Sequence, residues 1–114
     1  MPPRTFVIGN GVTKFAPPSK KKPFALFDEA ASAARTALEE AGLAYDADVD
    51  CCVAGYAYSD STAGQAACYR LGLTGIPVYN VNNACASGST ALCLARTLVQ
   101  SGSHHCVLCL GFEV

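Results

Sequence analysis

Val78-Tyr79-Asn80-Val81-Asn82-Asn83-Ala84-Cys85-Ala86-Ser87-Gly88-Ser89-Thr90-Ala91-Leu92 changes hydrophobic period partway along. Residues 77–82 end in alternating apolar and polar positions, which predicts a strand. After Cys85, residues Ala91, Leu92, Ala95, Leu98 and Val99 recur at helical spacing and are expected to face inward, with Gly102 placed to end the helix. A strand that turns directly into a helix is half of a βαβ unit.

The same alternation extends to both sides of this stretch. Residues 5–9 form a β-branched and aromatic run, read as a first strand closing at Gly9-Asn10-Gly11. A helix is expected from Phe24, with Pro23 in its first turn and Gly42 as C-cap. Its stripe is Phe27, Ala30, Ala31, Ala34, Ala37, Leu38 and Ala41, and so many alanines predict close packing against a flat sheet. Residues 50–56 read as a second strand. Asp60 or Ser61 can cap a short helix to Leu71, closed by Gly72. Residues 105–111, almost wholly apolar, read as a fourth strand covered on both faces. Strands alternating with helices imply right-handed crossovers. The expected fold is α/β, a mainly parallel sheet with helices on both faces. The sequence stops soon after that fourth strand, so residues 1–114 are read as part of a larger α/β unit.

Composition narrows the functional classes. The chain has 114 residues, 51% of them hydrophobic and 15% charged, with a formal charge of −1. That is too apolar for a disordered segment and lacks the basic excess of a nucleic-acid binder. No apolar run approaches the roughly 20 residues of a membrane span. Seven cysteines, an odd number, with no signal peptide favour a reducing compartment. Cys51, Cys52, Cys106 and Cys109 sit in strands, where free Cys behaves as a small hydrophobe, and Cys68 and Cys93 read as helix packing.

Cys85 is the candidate nucleophile. It stands where a strand passes into a helix, among small residues that let a substrate approach. The open amides and positive end of such a helix favour a thiolate and can hold an oxyanion. That arrangement suits acyl transfer through a thioester; the competing reading is a small buried side chain. His104 and His105 precede the last strand, at the end of the sheet opposite Cys85, and suit a surface or helix-capping role. Cys106 and Cys109 are three apart in a strand and point to opposite faces, which argues against zinc, and no metal is expected. Lys20-Lys21-Lys22 reads as a solvated run, with a coenzyme A phosphate contact as the weaker option. Asn10-Gly11 lacks the full glycine fingerprint of a dinucleotide site, and there is no P-loop.

Residues 78–92 resemble the nucleophilic-cysteine segment of thiolases, most closely the sterol carrier protein X type. Gly11-Val12-Thr13-Lys14-Phe15, Asp60-Ser61-Thr62-Ala63-Gly64-Gln65, Gly72-Leu73-Thr74-Gly75-Ile76-Pro77 and the end of the chain, with Leu110-Gly111-Phe112-Glu113, agree in order. The resemblance implies that residues 1–114 are most of an N-terminal half-domain whose C-terminal half is absent from this sequence. It implies Cys85 as the residue that takes an acyl group from a 3-ketoacyl-coenzyme A, with a His and a second Cys supplied by that other half. Ala84 departs from the family, whose closest members carry Asn there. Acyl-coenzyme A and coenzyme A are then substrates, and no resident cofactor is implied. The resemblance further implies a homodimer or homotetramer, with residues 78–82 able to pair with a second subunit. The implied compartment is a peroxisome or mitochondrion, with the cytoplasm as the other option. Alternatives are a ketoacyl-synthase-type condensing enzyme, or a split, non-catalytic subunit.

Overall fold

Five consecutive residues shielded from solvent mark the middle of the molecule. In the computed structural model, which describes residues 3–16 and 25–113, β1 (Cys51–Gly55) is buried along its whole length. It lies between β2 (Val78–Val81) and β3 (Val107–Gly111), both parallel to it. Cys52 is opposite Val78 on one side and Leu108 on the other. A strand with neighbours on both edges and helices on both faces has no position for a polar side chain, which accounts for its apolar run.

The helices divide between the two faces. α1 (Ala25–Ala41) and α3 (Ala63–Tyr69) cover the side where Cys52, Ala54, Leu108 and Leu110 point. α4 (Ser87–Gln100) covers the other, seating Ala91 and Ala95 on Val53, with Val107 and Cys109 beside them. A single turn, α2 (Tyr45–Asp48), leads into β1. Ala30, Ala31 and Ala34 are buried on α1, so the alanine stripe does face inward. The helix ends with Gly42 in the left-handed region (φ 72°) and Leu43 N donating to Leu38 O at 2.9 Å.

Four expectations need correction. Residues 5–9 form no strand, and Phe6, Val7 and Ile8 are 76%, 69% and 57% exposed. They pair with none of the three described strands, and the segment lies against α1 instead. There a Cβ on Gly9 would overlap the carbonyl oxygen of Ala37, and one on Gly11 that of Ala33. The described sheet therefore has three strands. Neither Asp60 nor Ser61 caps α3 through its side chain. The helix follows Thr62 in a left-handed turn (φ 61°). Its first amides are satisfied only partly from nearby: Ala63 N is shared between the Asp60 carbonyl oxygen at 3.2 Å and Tyr56 Oη at 3.3 Å, and Gly64 N donates to Asn80 Oδ1 at 2.7 Å. On α4, Leu92 is 54% exposed and Cys93 is exposed too. Ala91 and Ala95, one turn apart, define the inward line, and the two residues after Ala91 rotate away from it. Pro23, Phe24 and the lysines at 20–22 lie outside the described residues.

Candidate functional site

The carboxyl ends of β1 and β3 and the turn into α4 open on a cleft of about 500 Å³. Ligands of open α/β sheets bind at this end. Tyr56, Tyr58 and Phe112 line it with aromatic surface, and Cys85 and Gly88 enter from the start of α4. The ring of Tyr56 stacks on Phe112 at 5.1 Å between centroids, so the wall between β1 and β3 is a packed pair.

Cys85 is exposed, in the turn that joins β2 to α4. The turn is built by backbone and small polar groups. Ala84 sits in the left-handed region (φ 48°), uncommon for a residue with a Cβ. Ala86 N donates to Asn83 O, and Ser87 N to Ala84 O. Buried Ser87 threads the loop together: its Oγ accepts from Asn83 N at 2.8 Å and donates to Ala84 O at 2.7 Å. The amides of Gly88 and Ser89, in the first turn of α4, have no acceptor among the described residues. Cys85 is thus accessible and set at a helix N-terminus whose free donors can receive a developing negative charge.

Gly55 brings that helix down onto the sheet. A Cβ there would stand 2.5 Å from Ser87 O and 3.2 Å from the Ala91 methyl. The missing side chain lets the start of α4 rest on the backbone of β1.

Other thiols differ from Cys85 in their surroundings. Cys51, Cys52 and Cys68 are buried and Cys106 and Cys109 partly so. Burial pushes the thiols of Cys51, Cys106 and Cys109 up from their ordinary range, and the Asp50 carboxylate adds to the effect at Cys51 and Cys106. Cys106 packs into the core beneath α1 and α3 and Cys109 beneath α4, so the two face apart. Among the described residues no three His, Cys, Asp or Glu side chains converge as metal ligands.

His104 and His105 lie before β3, at the amino end of the sheet and away from Cys85. They do not cap α4. Asp50 gathers them: His104 Nδ1 lies 3.5 Å from Asp50 Oδ1, and His105 N donates to Asp50 Oδ2 at 2.8 Å. Asn80 and the aromatic pair leave no local signal in the sequence, since each acts through a partner distant in the chain, whereas the bonds of Ser87 are local, to Asn83 and Ala84. No described helix is long and apolar enough to cross a membrane.

The family described as the thiolase N-terminal domain matches residues 6–114. Sterol carrier protein 2 of Gallus gallus is 55% identical over 111 residues, covering 96% of this chain and 20% of the relative. The protein of that name from Homo sapiens is 51% identical over 111 residues, with the same coverage of 96% and 20%. The chain therefore spans about a fifth of the length of these curated relatives. Among solved structures, 3-oxoacyl-[acyl-carrier-protein] synthase III from Aquifex aeolicus superposes with a TM-score of 0.68 at 26% identity, covering 82% of this chain and 30% of the other.

Proposed function

Because the chain belongs to the thiolase family through its N-terminal domain, we propose that it carries the nucleophile of an acyl-coenzyme A thiolase. The observation behind this reading is Cys85 itself, an exposed thiol in a constrained turn at the start of α4, opening on the cleft. In the cleavage direction its sulfur attacks the C3 carbonyl of a 3-ketoacyl-coenzyme A. The C2–C3 bond then breaks, and C2 takes a proton to leave as acetyl-coenzyme A. The shortened acyl group stays on Cys85 as a thioester until the thiol of coenzyme A displaces it. The Gly88 and Ser89 amides, which have no acceptor among the described residues, support this reading as donors to charge on the carbonyl oxygen. The proton-handling His and second Cys would come from the other half of the enzyme, since His104 and His105 lie at the far end of the sheet. Coenzyme A thioesters are substrates in this reaction, and no resident cofactor takes part.

Incubating the full-length protein with acetoacetyl-coenzyme A, without free coenzyme A, is expected to leave an acetyl thioester on the Cys85 peptide by mass spectrometry. Cys85→Ala is expected to abolish the thioester and lower turnover by roughly 10⁴-fold or more. Absence of the thioester in the parent protein would favour the non-catalytic subunit. A second reading, a condensing enzyme, draws on the likeness to synthase III. It predicts consumption of a malonyl thioester in place of coenzyme A-dependent cleavage. The resemblance also supports a homodimer or homotetramer, formed through the free edge of β2, and a peroxisomal or mitochondrial address.

A further inference from the structure

Three residues that continue the three strands are joined by hydrogen bonds beside the cleft, two of them, Ala57 and Glu113, lining it. Ala57 follows β1, Asn82 follows β2 and Glu113 follows β3. Asn82 uses both ends of its amide: Oδ1 accepts from Ala84 N at 3.0 Å, and Nδ2 donates to Ala57 O at 3.3 Å. From the other side, Ala57 N donates to Glu113 Oε2 at 2.8 Å and Tyr58 N to Glu113 Oε1 at 3.1 Å. A carboxylate offers two acceptors to two successive amides, and its charge strengthens both bonds. The result is one line of hydrogen bonds across the width of the sheet, from Glu113 through Ala57 and Asn82 to Ala84. It ends one residue before the thiol, at the residue held in the left-handed region. An alanine there is disfavoured and persists only where its surroundings impose it.

We propose that Asn82 and Glu113 are positioning residues for Cys85, Asn82 by fixing the left-handed turn at Ala84 and Glu113 by fixing Ala57 against Asn82. The inference rests on Cys85 being the nucleophile. Neither side chain need touch the reacting atoms. The line also ties Tyr58, on the aromatic wall of the cleft, to the same frame as the thiol.

The test uses full-length protein carrying Asn82→Ala, Glu113→Gln, or both. Alkylation of Cys85 by iodoacetamide is followed across pH by peptide mass spectrometry, with exposed Cys93 as the internal reference. Kinetic constants with acetoacetyl-coenzyme A are measured in parallel. Each single variant is expected to change the Cys85-to-Cys93 labelling ratio and lower kcat roughly 10- to 100-fold, as for a displaced reacting group, while KM moves by less than about twofold. The double variant should fall no further than the worse single one, because both act along one line. Ala84→Gly, which takes the left-handed conformation without a Cβ penalty, should recover part of the rate in the Asn82→Ala background. A parental labelling ratio in either single variant overturns the proposal, as does a loss of kcat that Ala84→Gly leaves unrelieved. If Asn82→Ala fails to fold, Asn82→Asp keeps the acceptor for Ala84 N, removes the donor to Ala57 O and sets a carboxylate against that carbonyl; a parental ratio there is equally fatal. Labelling needs no turnover, so a parent protein without thiolysis would sink the functional reading while the labelling ratio still decides this one.

Discussion

A hydrogen atom at Gly55 does what no other side chain can do there. With Ser87 O only 2.5 Å from where a Cβ would stand, even a methyl forces the start of α4 away from β1. Gly55→Ala is therefore expected to lower stability by about 1–3 kcal/mol, the usual cost of overpacking a close contact. The midpoint of urea denaturation reads that change. Alkylation of Cys85 should shift with it, because the thiol precedes the displaced turn, whereas labelling of Cys93, farther along α4, should stay closer to parental. The position of Cys85 was legible in sequence because strand alternation stops and helical spacing starts around it. The partners that hold the turn were not. Asn82 and Glu113 contact Ala57 across the sheet, and nothing in the local pattern of any one segment announces a bond between them.

Among the elements, β1 shows what periodicity reveals and what it omits. Its apolar run predicted burial, and every residue from Cys51 to Gly55 is buried. Val53 is the one large aliphatic residue of that strand beneath α4, packed on Ala91 and Ala95. Val53→Ala should cost about 2 kcal/mol, since helix alanines cannot extend into the space left behind. A cooperative thermal or urea transition at lower stability, with the far-ultraviolet spectrum unchanged, would fit that expectation. Residues 5–9 carry an equally good strand pattern yet pair with nothing in the described chain. Pattern specifies which residues tolerate an extended backbone; it is silent on which surface they settle against, here that of α1. The start of α3 makes a related point: the Asp60 carbonyl shares Ala63 N, but the other acceptors, Tyr56 Oη and Asn80 Oδ1, come from remote segments.

For the whole molecule, three buried or partly buried thiols make stability depend on alkaline pH. Cys51, Cys106 and Cys109 have folded-state pKa values raised by burial. The folded chain holds these protons above the pH at which the unfolded chain releases them. Their effect is absent below the ordinary thiol pKa, about 8.5, and stability falls as pH rises beyond it toward the folded values. Denaturation midpoints measured from neutral to alkaline pH should decline over that window, and replacing Cys109 by Ala should flatten the decline. The two ends of the sheet are also chemically distinct, with the Asp50–His104 contact at one and the thiol of Cys85 in the cleft at the other. Finally, the seat of α4 on Gly55 is backbone against backbone. Such a contact has no χ torsions to repopulate on warming, unlike an interlocked pair of large side chains. The backbone turn that carries Cys85 should therefore keep its place as temperature rises, until the sheet itself gives way.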